Sequence, residues 1–331
     1  MNTFLLPKHK KTEEGKTRRV GYELEYSGPD LEQSVKLLQE IVGGDVKEEN
    51  AYCFSIHNKQ LGKFGVEIDA ALLKEGYYKE YLSEIGVEIN DLDFSDKLDN
   101  VLEKLAATVV PNEIVTPPIP VTDMEIVEDI VTALRKENAE GTHASVFYAF
   151  GLHINPELAS TSSEYLLNHI RAFTLLYDWI CKKSHVDLSR RMAPYIKPYP
   201  DDYQKHILHK DYQPDIDTLI NDYLDLVGSR NHALDMLPAF AHINEKTVMQ
   251  NAKEKELIKP RPAFHYRLAN SLVDEADWAV ADEWNVWFQV EELANNQKLL
   301  TELSSAYIKY LDGSILPAKG KWVDHIDDAI K

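Results

Sequence analysis

Five short segments of this chain alternate apolar and chemically loaded residues with a period of two. They are Arg19-Val20-Gly21-Tyr22-Glu23-Leu24-Glu25-Tyr26, Val66-Glu67-Ile68-Asp69, Asn112-Glu113-Ile114-Val115-Thr116-Pro117, Tyr148-Ala149-Phe150-Gly151-Leu152-His153-Ile154-Asn155 and Phe264-His265-Tyr266-Arg267-Leu268. In a strand, residues two apart point the same way. Glu23 with Glu25, His153 with Asn155, and His265 with Arg267 then each share a face. Val20, Tyr22, Leu24 and Tyr26 share the other face, as do Phe150, Leu152 and Ile154. An ordinary half-buried strand carries scattered Lys, Thr and Ser on its wet side. Here that side carries carboxylates, imidazoles and an arginine, strand after strand. The pattern predicts an antiparallel sheet with one apolar face against the core and one polar face forming a site for metal and phosphate.

A chain of 331 residues with 44% hydrophobic residues is long enough to bury a large core. Its net charge of −19 disfavours nucleic-acid backbones and anionic membranes, which are bound by Lys and Arg patches. The acidity reads first as a solubility device, and secondarily as an attraction for divalent cations or an amine-bearing substrate. The two cysteines, Cys53 and Cys181, lack CxxC spacing and point to a reducing compartment. Residues 1–19 contain no apolar stretch of the signal-peptide kind, and no run reaches the ~18 apolar residues of a membrane span. The expectation is a cytoplasmic protein with neither nucleic acid nor membrane as a partner.

Local signals place the segments in an order. Asp30 caps a helix over Leu31, Val35, Leu38 and Ile41 that closes at Gly43-Gly44. Cys53–Ile56 and Phe64–Ile68 read as strands around a turn at His57-Asn58-Lys59. Residues 70–110 read as an insertion, with a helical stretch at 94–107. Thr122-Asp123-Met124-Glu125 reads as a capping box opening a helix through Leu134. A long strand runs from Val146 to Ile154, followed by an amphipathic helix over Ser160–Lys183. Residues 184–212, rich in Pro, Tyr and His, read as loop. A further helix covers Ile216–Val227 and stops at Gly228, and Lys259-Pro260-Arg261-Pro262 punctuates the chain before the fifth strand. With no internal repeat and no low-complexity linker, the expectation is one catalytic domain over 1–331. It carries the 70–110 insertion, a mostly helical insertion over 157–240 and a helical region over 269–331.

Glu23 and Glu25 are the sharpest pair, because two carboxylates on one strand face repel unless a cation lies between them. An exposed edge strand would tolerate the same pair in water. A lone His153 on an apolar strand reads equally as a hydrogen-bonded core histidine, and Glu113 as a strand-end charge. Together, oxygen ligands with an imidazole suit Mg²⁺ or Mn²⁺, whereas zinc would call for Cys or closely spaced His. Trp278, Trp284 and Trp287, at near-helical spacing, read as helix-to-sheet packing in preference to an adenine-stacking platform. No phosphate loop of the GxxxxGK[ST] type, no GxGxxG and no nucleophile elbow is present.

The motifs resemble those of the carboxylate–amine ligases of the glutamine synthetase and glutamate–cysteine ligase superfamily, and as an ensemble those of its amidoligase family. Gly21-Tyr22-Glu23-Leu24-Glu25 is similar to the G-x-E-x-E first strand. Gly151-Leu152-His153-Ile154-Asn155 resembles the G-x-H-x-N strand, Glu113-Ile114-Val115-Thr116-Pro117 the E-x-[VI]-[ST]-P strand, and Asp69-Ala70-Ala71-Leu72 the D-x-S-L segment before it. Ser189-Arg190-Arg191 through Tyr195-Ile196-Lys197-Pro198 resembles the R…Y-x-x-P loop, and Arg230-Asn231-His232 falls at the family's basic helix start. The resemblance spans residues 19–268.

This resemblance implies an α+β fold with a glutamine-synthetase-like curved antiparallel sheet, helices on its outer face and helical insertions. It implies ATP and Mg²⁺ or Mn²⁺ as cofactors, and amide formation between a carboxylate and an amine through an acyl phosphate. The substrates would be small molecules or peptides, with peptide modification among the possible activities. It assigns Glu23, Glu25, Glu113, His153 and His265 to metal, Arg267, Arg230 and Arg191 to catalysis, and Asp69, Thr116, Asn155 and Arg190 to substrate. His265 stands where the family has Glu, which opens the question of the preferred metal. Ala71 replaces the family's Ser, and the insertion separates Asp69 from Glu113. An alternative is a degenerate ligase that binds nucleotide or peptide as a scaffold or regulator. A guanidino kinase would keep a related sheet but lean on arginines, whereas this chain leans on carboxylates and His.

Overall fold

The structure, a computed structural model, describes residues 3–68, 111–144, 150–186, 190, 196–313 and 319–330. The predicted 70–110 insertion, Asp69, Arg191 and residues 145–149 lie outside the described residues. In chain order the elements are strand β1 (Arg19–Tyr26), helix α1 (Leu31–Val42), strands β2 (Asp45–Asn50), β3 (Cys53–Asn58), β4 (Gly62–Ile68), β5 (Asn112–Val115) and β6 (Ile119–Pro120), and helix α2 (Glu125–Lys136). There follow β7 (Gly151–Pro156), α3 (Ser163–Lys183), α4 (Asp201–Leu208), α5 (Ile216–Leu226), β8 (Leu234–Asp235), α6 (Leu237–Ile243) and α7 (Glu245–Asn251). The chain ends with β9 (His265–Asn270), α8 (Val280–Ala294), α9 (Gln297–Leu311) and α10 (Lys319–Ala329).

This is an α+β protein built on an open antiparallel sheet in the order β2-β3-β4-β5-β1-β7-β9-β8, with β6 beside the start of β1. The alternation in β1 has the predicted consequence. Val20, Tyr22, Leu24 and Tyr26 are wholly buried, while the residues between them are partly exposed. Tyr22 lays its hydroxyl against Met124 Sδ at 3.0 Å, tying β1 to the start of α2. Phe150, Leu152 and Ile154 enter the core as expected. The helices α3, α8, α9 and α10 pack on one another; Trp284 and Trp287 of α8 are fully buried, Trp287 against Phe264 and Tyr266 at the sheet. Trp284 Nε1 donates to Leu5 O and Trp287 Nε1 to Glu291, so these rings serve packing. No helix among the described residues is long and apolar enough to cross a membrane.

The capping box at Asp30 forms as the sequence indicates: Gln33 N–H donates to Asp30 Oδ1 at 2.8 Å and Asp30 N–H to Gln33 Oε1 at 2.9 Å. The box expected at Thr122 does not. Thr122 lies in a turn closed by Asp123 N–H to Pro120 O (2.9 Å), and α2 starts after Met124, which offers no side-chain cap. The expected loop over 184–212 contains α4. Pro200 opens that helix, where its missing N–H costs nothing, and Tyr203 and Ile207 fill the core beneath it. The turn between β3 and β4 falls past Asn58, whose Oδ1 accepts from both Gln60 N and Leu61 N. Strand β2, exposed along its whole length, carries no apolar alternation; it pairs with β3, and its Glu49 accepts from Ser55 Oγ at 2.9 Å and meets Lys63 Nζ at 3.4 Å.

Candidate active site

Register, more than any single motif, assembles the polar face. Glu23 sits opposite His153 across β1 and β7. One step along, Glu25 sits opposite Glu113 across β1 and β5, and Glu113 opposite Glu67 across β5 and β4. Antiparallel pairing with a period of two thus stacks one residue from each strand into rows across the sheet. Glu67 ends its row partly exposed, accepting a weak 3.4 Å hydrogen bond from Cys53 Sγ.

Glu23 is the hub. Its Oε2 is 2.8 Å from His153 Nδ1, its Oε1 accepts from Asn155 Nδ2 at 2.9 Å, and Arg261 Nη2 approaches Oε1 to 3.8 Å. Burial opposes its charge, but the His153 hydrogen bond and the nearby Arg261 guanidinium hold its pKa well below the usual carboxylate range. Glu25 uses Oε2 to accept the Gly151 N–H at 2.7 Å, and its Oε1 lies 3.7 Å from His153 Nε2. His153 therefore stands between two carboxylates, one at each ring nitrogen.

His265 completes the cluster from β9. Its ring lies edge-on to His153 with centroids 5.5 Å apart. Its Nδ1 is 3.4 Å from Asp235 Oδ2, and Asp235 is its partner in the β8–β9 register. Its Nε2 is buried, has no hydrogen-bond partner among the described residues and lies 4.0 Å from Glu23 Oε2. Burial, only partly offset by Asp235, pushes its pKa down to about 3, so the ring is neutral near pH 7. Asp235, buried but facing His265, keeps its pKa below the ordinary value. The ionised Asp235 can only accept, which assigns the proton to His265 Nδ1 and leaves a lone pair on Nε2 aimed toward Glu23.

Among the described residues, two groups have ligand atoms within 4.8 Å of one another: Glu23, His153 and His265, and Glu25, Glu113 and His153. All five residues expected to hold metal are thus gathered by the fold. A divalent cation fits them on two counts. A buried imidazole nitrogen of His265 is left without a hydrogen-bond partner among the described residues, and a Glu23 carboxylate oxygen lies 4.0 Å from it.

The expected cationic and substrate residues are distributed around this cluster. Arg190, fully buried, donates through Nη2 to Arg267 O at 2.7 Å and lays its guanidinium against Gly151. A methyl group on Gly151 would come within 2.5 Å of Arg190 Nη1, so only glycine leaves room for it. Arg267 Nη1 donates to Arg230 O at 3.2 Å, bringing these two residues together at the β8 end. Across this step Leu152 opposes Ala269 and Ile154 opposes Tyr266, so β9 bulges by one residue around Arg267. Thr116 Oγ1 accepts the Tyr22 N–H at 2.9 Å and extends the β1–β5 pairing. Asn155 uses both ends of its amide, donating to Glu23 and accepting from Arg261 Nη2 at 3.0 Å.

Two residues of the cluster escaped the sequence reading. Asp235 lies on a strand of two residues, too short to show a period. The signal it left was a carboxylate inside the apolar run Ala233–Leu237, which has to be paired if buried. Arg261 was visible only as punctuation between Pro260 and Pro262. The two prolines stiffen the chain that delivers its guanidinium to Asn155 and Glu23.

Fold and site define a mixed helix–sheet protein with a carboxylate–imidazole cluster on one sheet face and arginines around it. A family model described as "Putative amidoligase enzyme" matches residues 16–289, and the chain belongs to this amidoligase family. No curated protein and no solved structure matches the chain significantly.

Proposed function

We propose that this protein is an ATP- and divalent-metal-dependent ligase that joins a carboxylate to an amine through an acyl phosphate, on a glutamine-synthetase-like sheet. The observation that carries the reading is the convergence of Glu23, Glu25, Glu113, His153 and His265 from four strands into two groups of metal-ligand geometry. Such a cluster is costly without a cation, because carboxylates in adjacent rows, largely removed from water, repel. Family membership supplies the amide-forming chemistry, and the cluster supplies a place where polyphosphate and carboxylate can meet without mutual repulsion.

In this reading Glu23, Glu25, Glu113, His153 and His265 hold the metal ions. Bound metal supplies charge neutralisation for the phosphates. Arg267 and Arg190, locked by their backbone hydrogen bonds, present planar cations to phosphate or carboxylate at fixed positions. Arg230, Arg191, Asp69 and Thr116 remain as further contacts, with Asp69 and Arg191 flanking the described part of the site in sequence. Asn155 holds Glu23 and Arg261 in register, so its role is positioning as well as contact. Two cysteines, Cys53 and Cys181, without disulfide spacing and the net charge of −19 agree with a cytoplasmic enzyme acting on small molecules or peptides.

The test is incubation of the purified protein with ATP, Mg²⁺ or Mn²⁺, and pooled amino acids and peptides. Phosphate release is followed alongside mass spectrometry of condensation products, with E23Q/E25Q as control. Release that requires both a carboxylate and an amine, is lost in the variant, and gives a product one water lighter than its parts is the expected result. Nucleotide binding without release across the pool would instead favour a scaffold or regulator on the same fold.

A further inference from the structure

Of the two ligand groups, the one containing His265 has the donor set of a transition metal. Glu23, His153 and His265 bring one carboxylate and two imidazoles within 4.8 Å. Mg²⁺ demands oxygen ligands and gives up its water reluctantly, whereas first-row transition ions take imidazole readily. The other group, Glu25, Glu113 and His153, has two carboxylates and shares the same histidine. A neutral imidazole offers one lone pair, so His153 can serve only one group at a time. His265 belongs to the first group alone and is the residue that sets it apart.

What stands behind His265 points the same way. Metal-ligating histidines characteristically donate their remote N–H to a carboxylate, which fixes the ring and raises its basicity. Asp235 is placed for this role: it is buried, opposes His265 in the β8–β9 register, and its Oδ2 lies 3.4 Å from Nδ1. Asp235 is itself anchored, accepting the Leu237 N–H at 3.0 Å through its other oxygen. The opposite nitrogen, Nε2, is buried with no hydrogen-bond partner among the described residues and lies 4.0 Å from Glu23 Oε2. An imidazole nitrogen and a carboxylate oxygen thus converge on one point of the site, at the spacing of two ligands around one ion.

We propose that Glu23 and His265, with His153 beside them, form a site selective for a first-row transition ion of the Mn²⁺ class over Mg²⁺, and that Asp235 is the positioning residue that orients His265. The inference rests on the metal-dependent reading above but does not need the substrates to be known.

The metal-stripped protein is titrated with Mn²⁺ alone, following the free-ion electron paramagnetic resonance signal, and then with Mg²⁺ in competition. Electron spin-echo modulation of the bound Mn²⁺ reports coordinated imidazole ¹⁴N. In the wild type, Mn²⁺ is expected to resist displacement by Mg²⁺ and to show imidazole modulation. H265E is expected to narrow the Mn²⁺-over-Mg²⁺ preference by about tenfold or more and to weaken that modulation. D235N is expected to keep imidazole modulation but to weaken Mn²⁺ binding roughly 10- to 100-fold. Bound Mn²⁺ without imidazole modulation in the wild type overturns the proposal, whatever the variants do. An unchanged preference in a folded H265E also overturns it, and both results leave a metal-dependent ligase standing. Failure of the wild type to bind either ion removes the site and the metal dependence together.

Discussion

His153 Nδ1 and Glu23 Oε2 lie 2.8 Å apart, and the two residues face each other directly in the β1–β7 register. This contact ties the two central strands of the polar face. It also leaves the remaining His153 nitrogen facing Glu25 at 3.7 Å. Replacing His153 by Asn is expected to lower affinity for Mn²⁺ by at least about tenfold, since it removes the one residue common to both ligand groups. Calorimetric titration of the stripped protein checks this, and an unchanged affinity would argue against His153 as a ligand.

Gly151→Ala is expected to damage both stability and activity. Its added methyl would meet Arg190 Nη1 at 2.5 Å and Nη2 at 2.6 Å, so the buried guanidinium would have to shift. Overpacking of this kind costs roughly 1–3 kcal/mol. Urea denaturation gives the stability change, and phosphate release in the ligase assay gives the functional one. A fully stable, fully active variant would mean that Arg190 is more mobile than its burial implies.

The Arg18–Glu291 pair lies deep between β1 and α8. Nη1 and Nη2 reach Glu291 Oε2 and Oε1, both at 2.9 Å, with side chains at 0% and 1% exposure. Trp287 Nε1 also donates to Glu291. Arg18→Met is expected to destabilise by about 3–5 kcal/mol because it strands a buried carboxylate. The double variant R18M/E291L is expected to recover much of that loss. A double-mutant cycle in urea reads the coupling.

Stability is expected to fall as pH drops below neutrality through His169. This ring is buried against Phe264 with centroids 4.9 Å apart, and its Nδ1 donates to Tyr165 O at 2.7 Å. Burial pushes its pKa from 6.5 down to about 4. A base whose folded pKa is depressed contributes its full stability above the unfolded value of 6.5. That contribution is lost as the unfolded chain gains a proton and the folded one does not, down to about pH 4. The difference amounts to about 2 kcal/mol at pH 5. Urea midpoints at pH 7 and pH 5, compared with His169→Phe, measure it, and the variant should show a shallower pH slope.

The polar sheet face was legible because strand periodicity is local. Glu23 and Glu25, or His153 and Asn155, are forced onto one side of a strand by backbone geometry alone, and Val20, Tyr22, Leu24 and Tyr26 onto the other. The Asp30 cap and the helix over Ser163–Lys183 were legible for the same reason, since both depend on residues three or four apart. Signals that rely on competition between local options were less secure. Thr122 could cap a helix but was taken by a turn, and residues 201–208 form a helix because Tyr203 and Ile207 find a core to bury against.

What the sequence by itself determined is which residues are chemically loaded, which side of each strand they occupy, and the family to which they belong. Only the tertiary structure decided which of them meet. The pairing of Glu25 with Glu113, of Glu23 with His153, and of Asp235 with His265 depends on strand register between segments from about 30 to 130 residues apart. No local period carries that information, because register is set by how the apolar faces of distant strands pack into a common core. Asp235 and Arg261 belong to the site for that reason alone. Their own neighbours in sequence say little about them, and the fold delivers one to His265 and the other to Asn155 and Glu23.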